Sequence, residues 1–301
     1  MTEPSTTSKA VRRLAAALEP FTGQVYFSPE CHAEYEKLGF GPSPGEFGGV
    51  QMPDGSAYFC SRGSCLGQVP GELVAAAFAV FNPAVVLPAV AHGWSLTDAE
   101  TIESARTRGA VAQLERILGP APKGVHRVGE LLGRAGEPLR PEGRPLYAGM
   151  LARDLPDGAL GAAWRLGDRL REFRGDSHTA AWTSAGLDAT EIGLLSELYW
   201  GLPLRTYIRT RAWSDAELDA AEERLVARGL LAGGSFTPTG RELRENVELS
   251  TDVQCAPMAA ALAEDLDELL SILEPWGAAI RAAKGYPASG PHDLAEAAAI
   301  R

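Results

Sequence analysis

Between Trp182 and Asp252 the chain carries helix-opening signals and one hairpin signal in an order that constrains its fold more than any other stretch. The capping box Asp188-Ala-Thr-Glu191 opens a helix that runs to Trp200, a short helix spans Leu202–Arg211, and a second capping box, Ser214-Asp-Ala-Glu217, opens a helix ending at Gly229. In such a box the first side chain bonds the backbone N–H three residues on, and the acidic side chain reaches back, so two orphan donors are satisfied at once. Leu230–Phe236 with its central Gly-Gly then reads as a tight hairpin, and Thr239-Gly-Arg-Glu242 opens a further helix.

Helix, turn, helix, β-wing, helix resembles the winged helix of MarR-type regulators, and RLVARGLLAGGSFTPTGREL (Arg224–Leu243) is similar to their recognition helix, wing and following helix. In that family the third helix enters the major groove and is basic. Here Asp215, Glu217, Asp219, Glu222 and Glu223 face only Arg224 and Arg228. Affinity for duplex DNA comes largely from neutralising phosphates, so this helix argues against nucleic acid as the partner and for a module used in packing, dimerisation or pocket-building. Arg205, Arg209 and Arg211 precede it and would reach at most a backbone. Fold alone does not assign function.

The totals agree. Of 301 residues 45% are hydrophobic, and the formal net charge is −11, which disfavours nucleic acid and anionic membrane alike. Leu73–Ala91 is apolar and about as long as a membrane span, but Asn82, Pro83 and Pro88 interrupt it, so it reads as two short buried helices. The N-terminal residues are polar and no leader is visible, which gives a cytoplasmic expectation. Heavy use of Ala, Gly, Arg and Pro with little Lys points to a high-GC actinobacterial genome.

The expected architecture is mainly α: an N-terminal helical domain (10–181), a winged-helix domain (182–256) and a long C-terminal helix (257–284). Glu3–Lys9 and the segment from Gly285 read as loose tails, and Pro42–Pro53 and Pro138–Pro145 as loops. Ala57–Cys60 reads as a short strand or extended segment, Cys31–Leu38, Val125–Ala135 and Ala148–Leu155 as helices, and Leu160–Phe173 as a helix stopped by Arg174-Gly175. The capping box Thr97-Asp-Ala-Glu100 opens a helix to Leu118. On the closing helix Leu262, Leu266, Leu269, Leu273, Trp276 and Ile280 form an apolar stripe suited to a core or a homodimer interface.

The sharpest chemical cluster is Arg171-Glu-Phe-Arg174-Gly-Asp176-Ser-His178. If Gly175 ends one helix and Asp176 or Ser177 caps the next, His178 falls in a first turn beside Asp176, and a carboxylate and imidazole so placed form an acid/base pair. Arg171 and Arg174 would then hold an anionic group. The plainer alternative makes Asp176 an N-cap and the arginines surface ion pairs. A second cluster holds Tyr26, Glu30, Cys31, His32 and Glu34, then Tyr58, Cys60, Arg62 and Cys65. Glu30 and Glu34, four apart and so on one helix face with Tyr26 and Tyr35 nearby, would receive an amine substrate, or simply begin a helix. Cys31, His32, Cys60 and Cys65 are four possible zinc ligands, but adjacent Cys-His suits one tetrahedral site poorly, and these thiols with Cys255 read better as small core residues; no metal is expected. No dinucleotide fingerprint, phosphate loop, zinc-protease helix or nucleophile elbow occurs, so no cofactor is expected either.

With ALEPFTGQVYFSPECHAEYEKLGF (Ala17–Phe40), RPEGRPLYAG (Arg140–Gly149) and GRELRENVELSTD (Gly240–Asp252), this cluster resembles an actinobacterial family of MarR-like, winged-helix-containing proteins of mostly unknown activity, over residues 10–275. Family members carry His at the positions of both Phe173 and His178; this chain keeps only the second, so a two-imidazole role such as haem or metal ligation does not carry over. The leading expectation is a cofactor-independent enzyme of specialised metabolism, with Asp176 and His178 catalytic in an amine cyclisation or an elimination and Arg174, Arg171, Tyr26, Glu30 and Arg62 binding substrate. The alternatives are a MarR-like transcriptional regulator, and a non-catalytic ligand-binding or self-resistance protein, alone or with an accessory partner.

Overall fold

The computed structural model describes residues 5–291. Its first helix, α1 (Thr6–Gly23), starts where Ser5 accepts the Ser8 backbone N–H, so residues 6–9 are helical rather than a loose tail. Ser28 caps α2 (Pro29–Glu36). The Gly/Pro-rich loop that follows folds back as a small hairpin, β1 (Glu46–Phe47) against β2 (Val50–Gln51). The expected extended segment at 57–60 is instead part of α3 (Gly55–Gly63), because the Asp54 side chain caps it through the Ala57 N–H. The apolar stretch at 73–91 divides into α4 (Gly71–Phe78) and α5 (Pro83–Leu96), with Asn82 capping the second. Among the described residues no helix is long and apolar enough to cross a membrane.

After α6 (Ala99–Leu118), α7 (Val125–Gly136) and α8 (Pro145–Leu151) comes the longest helix, α9 (Ala159–Ser184). It passes straight through Gly175, so Asp176, Ser177 and His178 lie in mid-helix and not in a first turn. A helical glycine costs about 1 kcal/mol. Burial of Leu170 and Phe173 on one side of it and Ala181 and Trp182 on the other outweighs that cost and holds the helix continuous.

The 182–252 order holds in outline. Both capping boxes form: Asp188 with Glu191 at α10 (Ala189–Tyr199), and Ser214 with Glu217 at α11 (Asp215–Ala227). The helix expected over 202–211 is a loop ending in one tight turn at Ile208–Arg211. Pro203 and the left-handed Arg205 break it, and the backbone N–H groups of Arg205 and Ile208 bond the Glu197 carboxylate at 2.7 and 2.6 Å. The wing is β3 (Leu231–Ala232) against β4 (Ser235–Phe236), turning on Gly233 and Gly234, both at positive φ as this two-residue turn requires. Thr237, two residues earlier than expected, caps α12 (Pro238–Leu262).

α12 carries Pro257 inside it and ends where Ala263 takes a φ of 47°. The closing helix is therefore α13, Leu266–Ala282. Its stripe of Leu266, Leu269, Leu270, Leu273, Trp276 and Ile280 is buried, and Trp276 meets Phe21 of α1 with ring centroids 5.5 Å apart. The stripe thus serves the core of the protomer, which removes the sequence argument for a dimer through it. Of the tail expected from Gly285 the structure describes residues 285–291, where Tyr286 is buried and donates to Glu19 at 3.1 Å; the rest of it lies outside the described residues.

Two apolar cores result. The larger gathers α1 to α9, the last turns of α12, and α13; the smaller gathers Ala181, Trp182, the buried faces of α10 and α11, the wing and Val247. α9 and α12 contribute to both. The fold is mainly α, with a helix-turn-helix unit mounted on two helices of a larger helical body.

Candidate functional site at the seam between the two cores

A cavity of about 220 Å3 opens where α9 and α12 leave the body and meet the end of α10. One wall is apolar, from Leu14 and Leu18 of α1, Leu170 of α9 and Met258 of α12, with Tyr199 and Trp200 closing the far end. The other is strongly polar. Arg171, Arg174 and His178 line it from α9, and the three- and four-residue spacings put them on one helix face; Arg244 and Glu248 of α12 share a face by the same rule.

Its charges are interlocked. Arg62 grips Glu172 with two bonds, of 3.0 and 2.8 Å, and Glu172 also accepts from Tyr26 (3.3 Å) and Arg171 (3.2 Å). Arg171 binds Glu19 at 3.1 Å on its other side. Burial alone would push the Glu172 carboxyl up, but Arg62, and after it Arg171, holds it down at about 2. Glu248 is shared by Arg174 and by Arg244 (3.0 Å), and this pairing outweighs burial and keeps it well below the carboxylate range. His178 Nδ1 meets Thr251 Oγ1 at 3.1 Å; because that hydroxyl gives its own proton to the Val247 carbonyl, the imidazole is the donor.

The sequence cluster is thereby brought together in part. Arg171, Arg174, His178 and Arg62 line the cavity, and Tyr26 stands behind Glu172. Asp176 does not join them. Two residues before His178 on a helix means a turn of about 200°, so the two side chains face opposite ways. Asp176 is 3% exposed and its carboxylate accepts the Tyr147 backbone N–H at 2.9 Å, on the α8 side of α9. Burial pushes its carboxyl up to about 7. Glu30 is elsewhere again, at the start of α2, paired with Arg116 of α6. Glu19, Glu172, Tyr199, Arg244 and Glu248 complete the site and were missed by sequence reasoning. The only available signal was their helical phase: Glu172 adjoins Arg171, and Arg244 and Glu248 are four apart. A wider, more open cleft of about 560 Å3 between α6 and the α8–α9 loop contains none of the expected residues.

The possible zinc ligands do not converge. Cys31, Cys60 and Cys65 direct their thiols to the carbonyls of Arg106, Val90 and Leu146, and among the described residues no group of three or more His, Cys, Asp or Glu is placed to hold a metal.

The helix in the DNA-reading position, α11, keeps its acidic sign. Asp215, Glu217, Asp219 and Glu223 of α11 are exposed. Arg205 is paired with Asp219 and Glu222, Arg209 with Asp215, Arg224 with Asp188 and Arg228 with Glu191. Arg211 packs over Phe81 of the body and Arg241 over Phe236 of the wing, so the arginines that would have formed a phosphate-binding face are dispersed.

No curated protein and no solved structure matches the chain. The model of a helix-turn-helix family matches it over residues 11–287, spanning both the helical body and the α10–β4 unit. The chain belongs to that helix-turn-helix family.

Proposed function

We propose that the protein binds a small organic molecule in the seam cavity, and that its MarR-like winged helix responds to that ligand. The observation that carries this reading is the cavity's position: its polar wall is built on α9 and α12, the two helices common to both cores, and its far end on Tyr199 and Trp200 at the end of α10. A ligand there touches the body and the helix-turn-helix unit together, and such junctions are favoured ligand sites. The acid/base cyclisation or elimination expected from the sequence needs Asp176 and His178 at one reacting atom. Their opposite facing favours binding over cyclase- or lyase-type chemistry.

Family membership favours a second reading, a DNA-binding regulator. It needs free positive charge where α11 would meet phosphates, and the ion pairs above oppose it. One pair of titrations separates the two. The neutral fluorescent probe N-phenyl-1-naphthylamine should saturate at one per chain, exciting by energy transfer from tryptophan because Trp200 is in the wall. A fluorescein-labelled mixed-sequence duplex at low salt should show no rise in anisotropy. No saturable dye binding together with salt-sensitive duplex binding would replace the ligand reading by the regulator.

A further inference from the structure

Within the seam cavity the arginines are unequally satisfied. Arg62 and Arg171 each spend several N–H groups on Glu172, Glu19, Tyr58 and Tyr26. Among the described residues Arg174 and Arg244 each make one side-chain bond, and both bonds end on Glu248. The Nε–H groups of both are buried without a partner among the described residues. Arg244 is only 2% exposed, and its guanidinium lies 4.2 Å over the Tyr199 ring. Neither neighbouring carboxylate bonds these two arginines: Asp252 bonds Arg12 at 2.7 Å, and Glu245 bonds Arg12 at 3.0 Å and accepts from the Tyr199 hydroxyl at 2.9 Å.

Arg244, buried, and Arg174, half-buried, share one carboxylate and leave buried N–H donors without a partner among the described residues, and an unsatisfied donor in a water-poor place is costly. Across the cavity stands the apolar wall of Leu14, Leu18, Leu170 and Met258. We propose that Arg174 and Arg244 form an anion subsite, and that the ligand is an amphipathic monoanion: a carboxylate, sulfonate or similar head against the two arginines and an apolar or aromatic body against α1 and Met258. A charged head meeting a planar donor fork gains charge-assisted hydrogen bonds that a neutral analogue lacks. The inference rests on the seam cavity being the ligand site.

The test compares 8-anilinonaphthalene-1-sulfonate with N-phenyl-1-naphthylamine, which share their rings and differ by the sulfonate. The anionic dye should bind at one site per chain about tenfold more tightly, the gain of roughly one charge-assisted bond. Arg174→Gln and Arg244→Gln should each bring the ratio of the two dyes' affinities down to about one, while Glu248→Gln, which strips the neutralising charge, should raise that ratio further. If Arg244→Gln lowers the melting temperature too far to titrate, Arg174→Gln, nearer the surface, carries the comparison. Equal binding of both dyes, with a ratio unmoved by Arg174→Gln, would overturn the anion subsite and leave the cavity reading standing. Failure of both dyes to saturate would overturn both readings.

Discussion

The Asp176 carboxylate accepts the Tyr147 backbone N–H at 2.9 Å, so a residue in the middle of α9 serves as the cap of α8. The residue before α8, Arg144, supplies no side-chain cap of its own. The leading sequence expectation paired Asp176 with His178 as acid and base and the plainer alternative made it the N-cap of the helix that follows; the N-terminus it caps belongs to α8, where Tyr147 stands 29 residues away in the chain.

Burial raises this carboxyl from an ordinary 3.8 to about 7. A group that binds its proton more tightly folded than unfolded stabilises the fold fully at low pH and loses that contribution as pH rises through the folded pKa. Replacing Asp176 by Asn removes the charge and keeps an acceptor for Tyr147. Denaturant unfolding of both proteins at several pH values between 4 and 8 should show wild type losing stability relative to the variant as pH rises. A difference that is constant across the range would refute the assignment.

Glu172 behaves in the opposite sense. Its carboxyl is held at about 2 by Arg62 and Arg171, so its contribution is complete above its ordinary value of 4.5 and disappears as pH falls towards 2. Glu172→Gln leaves two guanidinium groups without their shared partner and should cost about 3–5 kcal/mol, the usual penalty for breaking a buried pair. Urea unfolding at pH 7 measures it, and the two proteins should converge only as pH falls to about 2 and below.

The contact between α2 and α6 depends on Gly109. A Cβ there would stand 2.5 Å from Cys31 Cα and 2.6 Å from its backbone nitrogen, atoms that cannot swing aside. Gly109→Ala should therefore destabilise by about 1–3 kcal/mol, despite alanine's better helix propensity. A melting temperature equal to or above wild type would show that the helices separate at little cost.

The four cysteines are free and buried, and burial pushes the Cys31, Cys60 and Cys65 thiols up to about 12. Thiolate is the reactive form, so a disulfide exchange reagent at pH 8 should label the native protein slowly and all four positions rapidly in guanidinium. Fast native labelling of one position would identify a region that opens.

The local signals were legible because they are local. Asp188 with Glu191 and Ser214 with Glu217 satisfy donors within four residues, and Gly233-Gly234 sets its turn alone, so those elements stand where the sequence puts them. Gly175 and Pro257 misled, because tertiary burial on both sides carries α9 and α12 through residues that end isolated helices. Glu197, which holds the 202–208 loop by its backbone, has no pattern that announces it.

The site divides the same way. Helical phase alone puts Arg171, Arg174 and His178 on one face and predicts that Asp176 leaves it once the helix is continuous. That Arg62 reaches Glu172 from α3, and that Arg174 and Arg244 share Glu248 across two helices, depends on contacts between residues 110 and 74 positions apart for the pairs Arg62–Glu172 and Arg174–Glu248. The sequence by itself determined the mainly α class, the capping boxes at Asp188 and Ser214, the wing and the acidic face of α11, each set by interactions among near neighbours or by charge. Only the tertiary structure decided which charges neutralise one another and where a cavity remains, because the packing of α9 and α12 into two cores at once selects those partners.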